Sequence, residues 1–70
     1  MNPGDQVKYT PHPEQKIFGL FDVSGILYSI DEGYRAYIIA EKNIHGTTIK
    51  KGDLVKILLK TGTLKKEENV

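Results

Sequence analysis

Gly-Asp-x-Val-Lys occurs twice in this chain, once near each end. Gly4-Asp5-Gln6-Val7-Lys8 leads into Tyr9, and Gly52-Asp53-Leu54-Val55-Lys56 leads into Ile57. Each copy joins a turn-forming pair to an alternation of apolar and polar residues. A β-strand with one buried face begins in this way. Two such starts in a chain of 70 residues predict a small barrel whose first and last strands meet.

That length holds one domain and one core, and a chain so short buries only roughly 60% of its extended surface. Cysteine is absent, so neither a disulfide nor a thiolate metal site can form. Small secreted domains lean on disulfides, and a chain without them is expected in a reducing, cytoplasmic setting. Ten basic and nine acidic residues leave a net charge of +1, with no strong pull toward nucleic acid or an anionic membrane. No apolar leader follows Met1, and no run reaches membrane-spanning length.

Along the chain, Asp5 to Thr10 reads as a first strand with Val7 and Tyr9 on one face. Pro11-His12-Pro13-Glu14-Gln15 breaks it and reads as a semi-rigid loop. Lys16 to Phe21 resumes an apolar stretch. The strongest hairpin signal is Ile26 to Ile30 and Tyr34 to Ala40 flanking Asp31-Glu32-Gly33, with Gly33 expected at positive φ. Pairing Ile30 with Tyr34 places Ile26, Tyr28, Ile30, Tyr34, Ala36, Ile38 and Ala40 on the purer apolar face, the expected core. Leu27, Ser29, Arg35, Tyr37 and Ile39 then face outward. A short strand is expected over Thr47 to Ile49, and Leu54 to Lys60 reads as the last strand. No helix is expected beyond a single turn near His45 or in the tail. The domain is expected over residues 1–63, with a charged tail over 64–70.

The fold class expected from this pattern is all-β: a small, partly open barrel of five to six short antiparallel strands. Gly4-Asp5-x-Val7, the Pro-bearing first loop, Gly25-Ile26-Leu27 and Tyr34-x-Ala36-Tyr37-Ile38 resemble the strand grammar of SH3-like barrels. Size and whole-chain layout also resemble a small protein of Bacillus prophages. The resemblance implies a monomeric SH3-like fold of phage origin and assigns no activity.

Chemistry is sparse. Ser24 and Ser29 are the only serines and His12 and His45 the only histidines, and neither serine lies in a nucleophile-elbow setting. Asp22, Asp31 and Glu32 are scattered among turns without a calcium-loop pattern. No enzyme activity, metal or cofactor is therefore expected. Two surfaces remain. Leu27, Tyr37 and Ile39 cluster on the outer face of the expected hairpin, an apolar patch with an aromatic centre suited to an unidentified host or phage protein. The alternative is weak nucleic-acid binding through Lys8, Lys50, Lys51, Lys56 and Lys60, a stripe expected along neighbouring first and last strands. Lysines on edge strands also discourage edge-to-edge aggregation, which is the plainer reading. A protein-binding or adaptor module is the leading expectation.

Overall fold

The computed structural model describes residues 1–17 and 19–67. Phe18, part of the expected apolar stretch, and residues 68–70 of the expected tail lie outside the described residues. The chain runs β1 (Gln6–Pro11), α1 (Pro13–Lys16), β2 (Val23–Asp31), β3 (Arg35–Ala40), β4 (Leu54–Leu58), a 3-10 turn (Leu59–Thr61) and β5 (Gly62–Lys66). The five strands form one antiparallel sheet in the order β4-β3-β2-β1-β5. The sheet does not close: β4 and β5 are its two edges. The chain's extents of 29 × 25 × 24 Å are nearly equal, as expected when a sheet curls around its core rather than lying flat.

The repeated motif builds the same device twice. In the first copy Asp5 N–H donates to the Asn2 carbonyl and Asp5 Oδ2 accepts from Asn2 N–H. In the second, Asp53 N–H donates to the Lys50 carbonyl and Asp53 Oδ2 accepts from Lys50 N–H. Gly4 and Gly52 sit at φ 95° and 92°. Gly4 N–H donates to the Leu27 carbonyl and Leu27 N–H to the Asp5 carbonyl; Gly52 N–H donates to the Ala40 carbonyl and Ala40 N–H to the Asp53 carbonyl in the same way. Two residues thus oppose one on the neighbouring strand, with glycine left-handed at the first position, which is the geometry of a G1 β-bulge. Each bulge then aims the motif's valine inward and its lysine outward: Val7 and Val55 are buried, Lys8 and Lys56 exposed.

The core is Val7 and Tyr9 of β1, Val23 and Leu27 of β2, Ala36, Ile38 and Ala40 of β3, and Val55 and Ile57 of β4. Phe21, Ile44, Ile49, Leu59 and Leu64 pack against it. The expected inward face is correct on β1, β3 and β4; on β2 it is inverted around Leu27 but kept at Ile30, which pairs with the buried Ala36. Leu27, expected outside, is 1% exposed, whereas Ile26, Tyr28 and Ile30 are 37%, 59% and 37% exposed. Leu27 pairs with Ile38, and the next pair is Ser29 with Tyr37, so Tyr28 is an extra residue on β2. This bulge uncouples the two ends of the hairpin, so a register counted back from the turn does not hold at Ile26. Gly25 fixes the phase beyond it: an added Cβ would lie 1.9 Å from the Ile39 carbonyl oxygen.

The turn itself is shifted by one residue. Asp31 pairs with Arg35, rather than Ile30 with Tyr34. Tyr34 N–H donates to the Asp31 carbonyl, and Glu32 and Gly33 both have positive φ, 51° and 78°. Positive φ at both central residues marks type I′ turns, which match the strand twist. Gly33 is left-handed as expected.

First and last strands do meet, but the last strand is β5. Val7 to Pro11 pair with Lys66 to Gly62, so Leu64 to Lys66, expected to fray, belong to the sheet. The helical turn falls in the proline loop, where Pro13 occupies its first turn and Gln15 and Lys16 N–H donate to the His12 carbonyl. Thr47 to Ile49 is loop rather than strand: Ile44 N–H donates to the Ile49 carbonyl, and Thr47 Oγ1 donates to the Ile44 carbonyl and accepts from Ile49 N–H.

Candidate functional site

Strand pairing sets up continuous rows on the outer face of the sheet. Gln6, Ile26, Ile39 and Leu54 form one row across β1, β2, β3 and β4. Ser29, Tyr37 and Lys56 form the next, and Asp31, Arg35 and Leu58 the one beyond. Leu54 and Leu58 are 54% and 38% exposed, and the extra residue Tyr28 also stands out from β2. Of the three expected patch residues, Tyr37 and Ile39 lie on this face, half-buried, while Leu27 is in the core. The structure supplies Ile26, Tyr28, Leu54 and Leu58 instead. Their signal was the apolar alternation of β2 and β4 taken in the other phase.

The far corner of this face is held by charge. Arg35 contacts Asp31 at 2.6 Å, donates to the Tyr34 hydroxyl at 3.2 Å and lies 5.0 Å from the centre of that ring. The guanidinium lies above its ordinary pKa, raised by Tyr34 first and then by Asp31 against the cost of burial. It stays charged at any working pH.

The lysines do not form the expected stripe. β5, not β4, takes the free side of β1, so β2 and β3 separate Lys8 from Lys56. Lys8 faces Ser24 on one side and Lys65 on the other. Lys50 and Lys51 sit in the second Gly-Asp turn, where their N–H groups donate to Asp53 and Asn43. Lys60 belongs to the 3-10 turn. The sequence reading missed Lys42, which with Lys8, Asp22, Ser24, Asn43 and His45 lines a polar cleft of about 410 Å³. Ser24, His45 and Asp22 share that cleft, but no hydrogen bond joins them among the described residues, and Asp22 is paired with Lys16 at 3.5 Å.

A second cleft, of about 350 Å³, is apolar. It runs beside β4, between Val55, Ile57 and Leu58 on one side and Tyr9, Leu20 and Phe21 on the other, and lies where the sheet fails to close. Among the described residues no group of three His, Asp or Glu gathers as metal ligands, and no helix is long and apolar enough to cross a membrane.

Together these features define a small, all-antiparallel five-strand β-sheet domain with an open edge. No family model matches the chain, and no curated protein or solved structure matches it.

Proposed function

We propose that this chain is a non-enzymatic protein-binding module of the SH3-like kind, with a partner from host or phage. The observation that carries the reading is the row Ile26, Ile39 and Leu54, flanked by Tyr28 and Tyr37, across the outer face of three adjacent strands. Apolar and aromatic side chains joined in one patch are the usual core of a protein interface. The five-strand open sheet supports the SH3-like part; the prophage part rests on chain layout alone. A cytoplasmic setting is proposed from the absence of cysteine.

The test uses the whole chain as bait in a host lysate, beside a Tyr28→Ser, Leu54→Ser variant shown to fold. The expected result is a partner held by the parent chain, lost by the variant and retained when salt is raised. Equal retention by both chains removes the outer face from the interaction. Steep loss with salt favours the second reading, weak nucleic-acid binding. That reading draws on Lys8, Lys42 and Lys65 rather than on a stripe reaching Lys56.

A further inference from the structure

The free edge of β4 has a definite hydrogen-bonding pattern. Leu59 N–H donates to the Tyr34 carbonyl, and Ala40 N–H to the Asp53 carbonyl. In the β3–β4 register these are the bonded pairs at either end of the ladder. Bonded and non-bonded pairs alternate in an antiparallel ladder, so Val55 and Ile57 bond inward to β3. Leu54, Lys56 and Leu58 therefore direct their N–H and carbonyl groups away from the sheet, toward the apolar cleft between β4 and the Leu20–Phe21 segment, and of these the Leu58 carbonyl already accepts from Thr61 Oγ1.

Sheets ordinarily blunt such an edge with proline, bulges or charge. The β5 edge carries Lys65 and Lys66; the β4 edge, Leu54-Val55-Lys56-Ile57-Leu58, has neither proline nor glycine and a single charge. Lys56 has no ion-pair partner among the described residues.

We propose that β4 is a strand-addition site for an extended segment of another protein that carries an acidic residue between apolar ones. The residue opposite Lys56 shares its outward face, and a carboxylate there pairs with the ammonium. Residues on either side of it turn inward and fill the cleft against Tyr9, Phe21, Val55 and Ile57. Main-chain bonds supply affinity and the alternate side chains supply selectivity, as in other edge-strand recognition. A second copy of this chain fits poorly. Two β4 edges paired about Lys56 set ammonium against ammonium, and a β5 edge brings Lys65 or Lys66 to the same place.

The inference rests on the protein-binding reading and names its mode. The probe is a short capped peptide alternating valine and threonine, with glutamate at its centre, titrated into the ¹⁵N-labelled chain. Saturable shifts and slowed amide exchange at Leu54, Lys56 and Leu58 are expected. N-methylation of alternate peptide residues abolishes them. A central lysine weakens binding several-fold, and Lys56→Glu reverses that preference. Shifts confined to Ile26 and Tyr28, and indifferent to N-methylation, overturn strand addition but leave a protein-binding face standing. No response at β4 overturns it as well. Concentration-dependent dimerisation that protects the same three amides without peptide overturns it in favour of self-pairing. Failure of the broader reading shows elsewhere, as lysate capture that ignores Tyr28→Ser with Leu54→Ser.

Discussion

The Tyr9 hydroxyl and Thr61 Oγ1 lie 2.5 Å apart, and Thr61 Oγ1 in turn donates to the Leu58 carbonyl at 2.6 Å. Thr61 has one hydroxyl proton and spends it on Leu58, so Tyr9 donates to Thr61. This relay ties the 3-10 turn after β4 to the middle of β1. It therefore holds one wall of the apolar cleft, since Tyr9, Leu58 and Thr61 all line it.

Removing the donor and removing the acceptor should have unequal effects. Tyr9→Phe loses one hydrogen bond and leaves Thr61 bonded to Leu58, a loss of about 0.5–1.5 kcal/mol. Thr61→Val strands the hydroxyl of Tyr9, a residue only 3% exposed, and unpairs the Leu58 carbonyl, at about 1–3 kcal/mol. Urea denaturation of both variants and the double variant measures the coupling. Losses that simply add would show that the relay carries no shared energy.

The hairpin register is tested by two isoleucines that the turn-based pairing placed together. Ile38 is fully buried and opposes Leu27, whereas Ile26 is 37% exposed and lies in the outer row. Ile38→Ala should destabilise by about 2–5 kcal/mol. Ile26→Ala should destabilise by under about 1.5 kcal/mol, the range of a partly exposed side chain. Similar large losses from both, by chemical denaturation, would restore the register in which they share the core.

The inversion of β2 shows what was legible in this chain and what was not. Period-2 alternation fixed the inward residues wherever one phase was polar, as at Lys8 against Val7 and Tyr9, or Lys56 against Val55 and Ile57. On β2 both phases are apolar, with Ile26, Tyr28 and Ile30 in one and Val23, Gly25 and Leu27 in the other. Hydrophobicity alone favoured the bulkier set. Steric fit decided otherwise, because Gly25 faces the Ile39 backbone too closely for any side chain and a bulge at Tyr28 absorbs the mismatch. The candidate surface inherited that inversion, which is why Leu27 left it and Tyr28 entered. β5 was hidden for another reason. Lys65 and Lys66 look like a solvated tail, yet lysines are also what a protected edge strand carries.

The β2–β3 turn offers a gain as well as a loss of stability. Glu32 is the only non-glycine residue at positive φ among those described. Glu32→Asn creates the Asn-Gly pair that type I′ turns favour and should stabilise the fold by about 1 kcal/mol, since a left-handed side chain costs roughly 1–2 kcal/mol. Gly33→Val should destabilise by more than about 1 kcal/mol, because a β-branched residue is strained at φ 78°. Melting temperatures moving in opposite directions check the pair. A neutral Gly33→Val would mean that the turn relaxes to another conformation without loss.

Generic DNA or RNA should not bind this chain stably at about 150 mM salt, where charges are screened beyond roughly 8 Å. The lysines are dispersed: Lys8 faces Lys65, Lys56 lies across β2 and β3 from them, and Lys50 and Lys51 occupy a turn. No single backbone path gathers all five expected lysines, so few counterions are released on contact and little affinity survives salt. Tyr37, the one aromatic beside Lys56, is half-buried and offers a base only part of its ring. Titration of the ¹⁵N-labelled chain with single-stranded and duplex oligonucleotides should give shifts at Lys8, Lys42 and Lys65 in low salt that vanish as salt is added. Saturable shifts at Lys8, Lys56 and Lys60 together with Tyr37 at about 150 mM salt would instead establish a continuous nucleic-acid track and displace the protein-binding reading.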